Sequence, residues 1–101
     1  MTFNELMYWF VLYNRKYFNN RLKCSVRFKR LKRNSFGWCV CHKAFSKIRV
    51  NKMYRHWDKH TRMTLLHEMV HASLPKYTSH GPKFDRGMLR LAKLGAFNKL
   101  W

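Results

Sequence analysis

The chain has 101 residues, enough for one domain and too few for two, and its 47% hydrophobic and 17% aromatic content can build a core, which excludes a disordered polymer. Its 22 Lys and Arg stand against only Glu5, Asp58, Glu68 and Asp85, a net charge of +18 that attracts polyanions and makes nucleic acid the natural partner. A membrane is not expected as partner, because no apolar run reaches spanning length and no basic amphipathic helix separates from the core pattern.

A core this small is marginal, and a bound metal would help to stabilise it. Cys24, Cys39 and Cys41 are an odd number of cysteines with no signal peptide ahead of them. That pattern argues against a secreted disulfide scaffold and for a reducing compartment, the cytoplasm. No linker, repeat or low-complexity tract divides the sequence, so residues 1–101 are expected to form one domain, acting as a monomer.

Thr2 and Glu5 are spaced as a capping box, and Leu6, Trp9, Phe10, Tyr13 and Tyr17 recur at helical spacing. They predict a first helix over about residues 3–19 whose aromatic stripe is core. Cys24, Val26 and Phe28 then alternate with Ser25, Arg27 and Lys29, the pattern of a half-buried strand with a basic outer face. Phe36, Trp38 and Val40 alternate with Gly37, Cys39 and Cys41 in a second strand, and Ile48 and Val50 mark a third between Lys47 and Arg49.

Five cations, Arg27, Lys29, Arg30, Lys32 and Arg33, crowd the end of the first strand and the loop after it. They repel one another unless an anion neutralises them, so they are the candidate nucleic-acid contacts. Phe28, Trp38 and Trp57 are available to stack on unpaired bases, although core packing is the simpler account of those rings.

A second helix is expected over about residues 62–74, stopped by Pro75. Gly81 and Pro82 open a third, with Phe84, Met88 and Leu91 as its buried stripe and Gly95 as its end. Helices and strands are segregated along the chain, so the fold class is α+β.

The second helix contains His67-Glu68-Met69-Val70-His71, an HExxH motif. Positions i and i+4 share a helix face, so two imidazoles at that spacing can grip one zinc ion. Glu68 projects from the neighbouring edge of that face, where it can accept a proton from water activated at the metal. A catalytic zinc takes three protein ligands and keeps one position open. His42, His56, His60 and His80 are the candidates for the third. His80 is favoured over His60: eight residues after His71 let the chain double back, and Gly81-Pro82 fixes the backbone there. Cys39 and Cys41 with His42 form a weaker alternative, since CxC is not the usual zinc-knuckle spacing.

At this point nearly the whole chain, from about residue 5 to 95, resembles the SprT-like family, which includes the Spartan proteases. Residues 13–22, Tyr-Asn-Arg-Lys-Tyr-Phe-Asn-Asn-Arg-Leu, are similar to its first-helix pattern, and Phe36-Gly37-Trp38-Cys39 to its glycine-containing strand. Ile48-Arg49-Val50 resembles the strand ahead of its active-site helix, and residues 64–72 resemble that helix itself. His80-Gly81-Pro82-Lys83-Phe84 matches the family's HGxxF segment, which carries the third zinc ligand and so supports His80. The resemblance implies a zincin-like α+β domain, a zinc cofactor, and cleavage of proteins attached to DNA with DNA binding as stimulus. The bacterial members' C-terminal zinc ribbon and the animal Spartans' partner-binding tails have no counterpart in the sequence. A core this short and basic suits a virus-encoded protein working near the nucleoid of a host cell. A non-catalytic, zinc-stiffened nucleic-acid-binding module is the alternative, and a peptidase for small peptides or cell-wall material ranks below both.

Overall fold

The computed structural model describes residues 1–41, 44–74 and 80–100. Helix α1 (Phe3–Phe18) starts on a reciprocal cap. The Glu5 amide donates to the Thr2 hydroxyl at 3.1 Å, and the Thr2 amide to the Glu5 carboxylate at 3.0 Å. Leu6, Phe10, Tyr13 and Tyr17 form its buried stripe, with Trp9 half-buried beside them. The helix ends in left-handed Asn19 and Asn20, a conformation asparagine tolerates. Buried Asn14 then staples the returning chain: its amide donates to the Leu22 carbonyl at 2.9 Å and its oxygen accepts the Leu22 amide at 3.2 Å.

Strands β1 (Cys24–Lys29), β2 (Gly37–Cys41) and β3 (Ser46–Asn51) form one sheet in the order β1-β3-β2, with β1 parallel and β2 antiparallel to β3. The side-chain period of two sorts the residues between two faces. Val26, Ile48 and Val50 are buried, and Phe28 and Cys39 pack against the same core. Arg27 and Lys29 stand on the opposite, open face, with Val40. Strand β2 therefore turns its small residues inward and its large ones out.

A short 3-10 turn (Lys52–Tyr54) leads into α2 (Asp58–Ala72). This helix begins four residues before the expected start and ends at Ala72; Pro75, expected to stop it, lies outside the described residues. Leu65, Leu66, Met69 and Val70 bury its inner side against β2, β3, α1 and α3. Helix α3 (Pro82–Lys93) follows, and Gly95, at φ 84°, turns the chain so that Ala96, Phe97 and Leu100 close the core. The α3–α2 crossing is close because Gly87 permits it: a Cβ there would lie 2.7 Å from Val70 Cγ1. Three helices and a three-stranded mixed sheet give the α+β architecture that the sequence implies. Among the described residues no helix is long and apolar enough to cross a membrane.

Candidate metal centre

Burial of Leu65, Leu66, Met69 and Val70 fixes the rotation of α2, and with it the direction of the remaining face. His67 and His71, one turn apart on that face, have ring centroids 5.1 Å apart. His80 immediately precedes Gly81, the N-cap of α3, and the packing of α3 on α2 carries its ring back over them. The Nε2 of His80 lies 3.2 Å from that of His67 and 2.9 Å from that of His71. Phe84, in the first turn of α3, packs against all three imidazoles, with centroids 4.4 Å from His71, 4.6 Å from His80 and 4.8 Å from His67. Helical periodicity alone puts Phe84 in the core stripe. The structure makes it the floor of the histidine cluster as well, and the HGxxF spacing is the signal for that role.

Ligand atoms of His67, His71 and His80 all lie within 4.8 Å of one another, so the group could hold a metal ion. The fit rests on two observations. First, the two Nε2 separations from His80 approach the roughly 3.3 Å edge of a tetrahedron whose bonds are about 2.0–2.1 Å. Second, His67 and His71 are held toward the neutral form that a ligand needs. Burial and then the neighbouring imidazoles of His71 and His80 lower the His67 pKa to about 4, and burial followed by His80 lowers that of His71. Three imidazole nitrogens brought this close together are a donor set for a borderline divalent metal, zinc among them.

Glu68 is only 5% exposed, and burial raises its carboxyl pKa to about 7. Gly37 lets β2 come this close. A Cβ there would meet the Arg49 carbonyl and Thr64 Cγ2 at 2.9 Å and Glu68 Cγ at 3.5 Å. His67, Glu68 and His80 open into a cleft of about 550 Å³, walled mainly by Phe36, His60, Met63, Met88 and Phe97.

His60 does share the helical face, because α2 starts at Asp58, but its ring belongs to a different cluster. It stands edge-on to Phe36 at 4.5 Å and packs near Tyr54 and Trp57 at 5.6 and 5.7 Å. Among the described residues no cysteine joins a metal-holding group, and His42 lies outside them. Burial raises the Cys24 thiol to about 12 and pushes Cys39 up as well, so neither offers a thiolate at neutral pH.

The basic run is split. Arg27 and Lys29 stand on the open sheet face, while Arg30, Lys32 and Arg33 ride on the following loop, all five exposed. Of the three rings available for stacking, Phe28 packs on the core and Trp38 has the charged groups of Lys29 and Arg49 at 5.7 and 5.8 Å from its ring. Trp57 is 62% exposed. Asn51, which no motif marks, is wholly buried and ties the basic loop to the 3-10 turn; its only signal in the sequence is its position at a strand end before a cap.

No individual curated protein matches the chain. The family model described as the SprT-like family matches residues 6–99, the span that includes every helix turn and strand of the cluster above. By that match over nearly its full length, the chain belongs to the SprT-like family of metallopeptidase-like domains.

Proposed function

We propose that the chain is a zinc-dependent metalloendopeptidase that cuts proteins held on DNA. The observation that carries the reading is the convergence of His67, His71 and His80 beside the buried carboxyl of Glu68, in a cleft open to a peptide. Those three histidines would hold the ion, and a zinc ion there supplies the Lewis acidity that polarises a peptide carbonyl and acidifies water. Glu68 takes the proton from the attacking water and delivers it to the leaving amine. A carboxyl near 7 can do both at neutral pH, because neither protonation state is far away. The apolar walls of the cleft hold an extended segment and keep bulk water from its scissile bond.

DNA as the setting is supported by the +18 charge and by the family's best-known members. The test is cleavage of a protein crosslinked to DNA, by the wild-type chain and by Glu68→Gln. Loss of cleavage in the variant is the expected result. Undiminished cleavage would reject the role given to Glu68. Tight DNA binding with no cleavage by the zinc-loaded wild type would leave a zinc-stiffened nucleic-acid-binding module instead.

A further inference from the structure

We propose that the surface at the N-terminal end of α2 binds unpaired nucleotides, seating a phosphate among Arg30, Lys52, Arg55 and His56 and stacking a base on Trp57. The inference rests on the nucleic-acid half of the proposed function and gives it a place and a strandedness.

Arg30, Lys52, Arg55 and His56, with Met53, line a concavity of about 370 Å³. No acidic residue lines it. Glu5 is spent in the α1 cap, Asp58 faces the chain's amino group at 3.4 Å, Glu68 is buried in the cleft, and Asp85 sits in the first turn of α3. The three cations Arg30, Lys52 and Arg55, gathered in a hollow without a carboxylate, repel one another, and an anion relieves that repulsion.

The hollow is also prearranged. The Asn51 side chain accepts the amides of Leu31 and Met53 at 3.3 and 3.0 Å and donates to the carbonyls of Lys32 and Ser35 at 3.0 and 2.6 Å. The Tyr54 hydroxyl donates to the Arg33 carbonyl. The basic loop and the 3-10 turn are thus bound together through their backbones, which leaves Arg30 and Lys52 to solvent, while the half-buried Arg55 donates to His56 Nε2 at 3.5 Å. Little ordering remains to be done when a ligand arrives.

Trp57, the next residue after His56, presents a largely open ring, tilted on Tyr54 at 5.7 Å. An open indole next to a phosphate seat is the arrangement that takes a base face and its backbone together. In a duplex the base faces are closed by their neighbours, so only an unpaired strand can use both halves. The aromatic series continues from Trp57 to His60 at 5.7 Å and from His60 to Phe36 at 4.5 Å, and these last two line the peptidase cleft. A base on Trp57 would thus sit one ring away from a residue that lines the cleft.

The test is anisotropy of the full chain with a labelled oligothymidylate of about a dozen nucleotides, against a hairpin duplex of equal charge and phosphatidylserine vesicles. The single strand is expected to bind tighter than the duplex. Trp57→Ala should weaken the single strand by about tenfold and leave the duplex unchanged, and Trp57→Phe should keep most of the affinity. Lys52→Glu with Arg55→Glu should weaken both forms and reduce the slope of log affinity against log salt by about one for each phosphate no longer neutralised. Wild-type affinity in the Trp57→Ala and Lys52→Glu/Arg55→Glu variants, a preference for duplex, or a Trp57 effect confined to vesicles would each overturn the site. Failure of the wild-type chain to bind either form of DNA would instead remove the nucleic-acid half of the proposed function.

Discussion

The two ends of α2 are built on opposite physical terms. The last turns hold His67, Glu68 and His71, whose protonation is set first by burial, and meet His80 from the start of α3; their geometry is fixed by Phe84 of α3 and by Gly37 of β2. The first turn and the segment before it hold cations and an open indole around a hollow. At the first site position carries the chemistry, and at the second charge carries it. Substitutions at the first should therefore act as all-or-none changes and those at the second by increments.

The sharpest way to break the contrast is to remove one imidazole. His80→Ala is expected to strip the bound metal from the purified protein and abolish cleavage, because two ligands do not make a zinc site. Glu68→Gln should keep the metal and lower the cleavage rate by roughly 10²–10⁴-fold. Elemental analysis beside a cleavage assay separates the two. By contrast, Lys32→Ala should leave metal content unchanged; a loss there would mean that the two regions are not separate.

Next in size is the carboxyl's own contribution to stability. Burial holds Glu68 at about 7 against 4.5 for an unperturbed carboxyl. The folded state therefore binds its proton more tightly between those values, and the stability it contributes is complete below about pH 4.5 and lost as pH rises through 7. Glutamine does not ionise. In the chelated, metal-free protein, Glu68→Gln should be more stable than wild type above pH 7 by as much as roughly 3 kcal/mol, and equal to it at acid pH. His67 and His71 run the other way, their stability present above 6.5 and lost as pH falls, for His67 through about 4. They are common to both proteins and cancel in the difference. Urea midpoints across pH measure it, and a pH-independent difference would show that Glu68 ionises freely.

Gly37→Ala tests whether the first site depends on position. Its Cβ would press on the Arg49 carbonyl and on Thr64, with Glu68 just beyond. A loss of about 1–3 kcal/mol in stability is expected, together with slowed cleavage. Gly87→Ala, which presses on Val70 instead, should cost similar stability with less effect on rate. Equal rate losses in the two variants would show that the spacing of β2 from Glu68 is not what matters.

The contrast also sorts what the sequence made legible. The HExxH spacing places His67 and His71 on one face of any helix, so that pair could be found without coordinates. His80 could be favoured because Gly81-Pro82 constrains the backbone beside it, and the helix N-cap falls at Gly81. Strand order was not legible. Alternation assigns faces, not neighbours, and nothing in residues 24–51 says that β3 lies between β1 and β2. Nor was it legible that β2 faces inward with Gly37 and Cys39: bulk argues for Phe36, Trp38 and Val40, and only the close approach of α2 reverses that. The basic run looked like one cluster because its residues are nearly consecutive. A strand followed by a loop separates them, and the hollow takes Arg30 from that run and Lys52 and Arg55 from more than twenty residues later.

The smallest effect should lie outside both sites, on the open face of the sheet. Arg27 and Arg49 are direct cross-strand partners, and like charges in that position are destabilising. Arg49 cannot swing away freely: its guanidinium donates to the Ser25 carbonyl at 2.7 Å and the Ile48 carbonyl at 3.0 Å and lies over Trp38. Arg27 is exposed, so replacing it disturbs no packing. Arg27→Glu turns the repulsion into an attraction and should stabilise the fold by about 0.2–1 kcal/mol at low salt. High salt should erase the gain, since exposed charges are screened within about 10 Å at 0.1 M. Stability measured at two ionic strengths checks it. A gain that survives high salt would mean that strand propensity, not charge, is responsible, and a loss would mean that Arg27 is held by an anion even in the isolated protein.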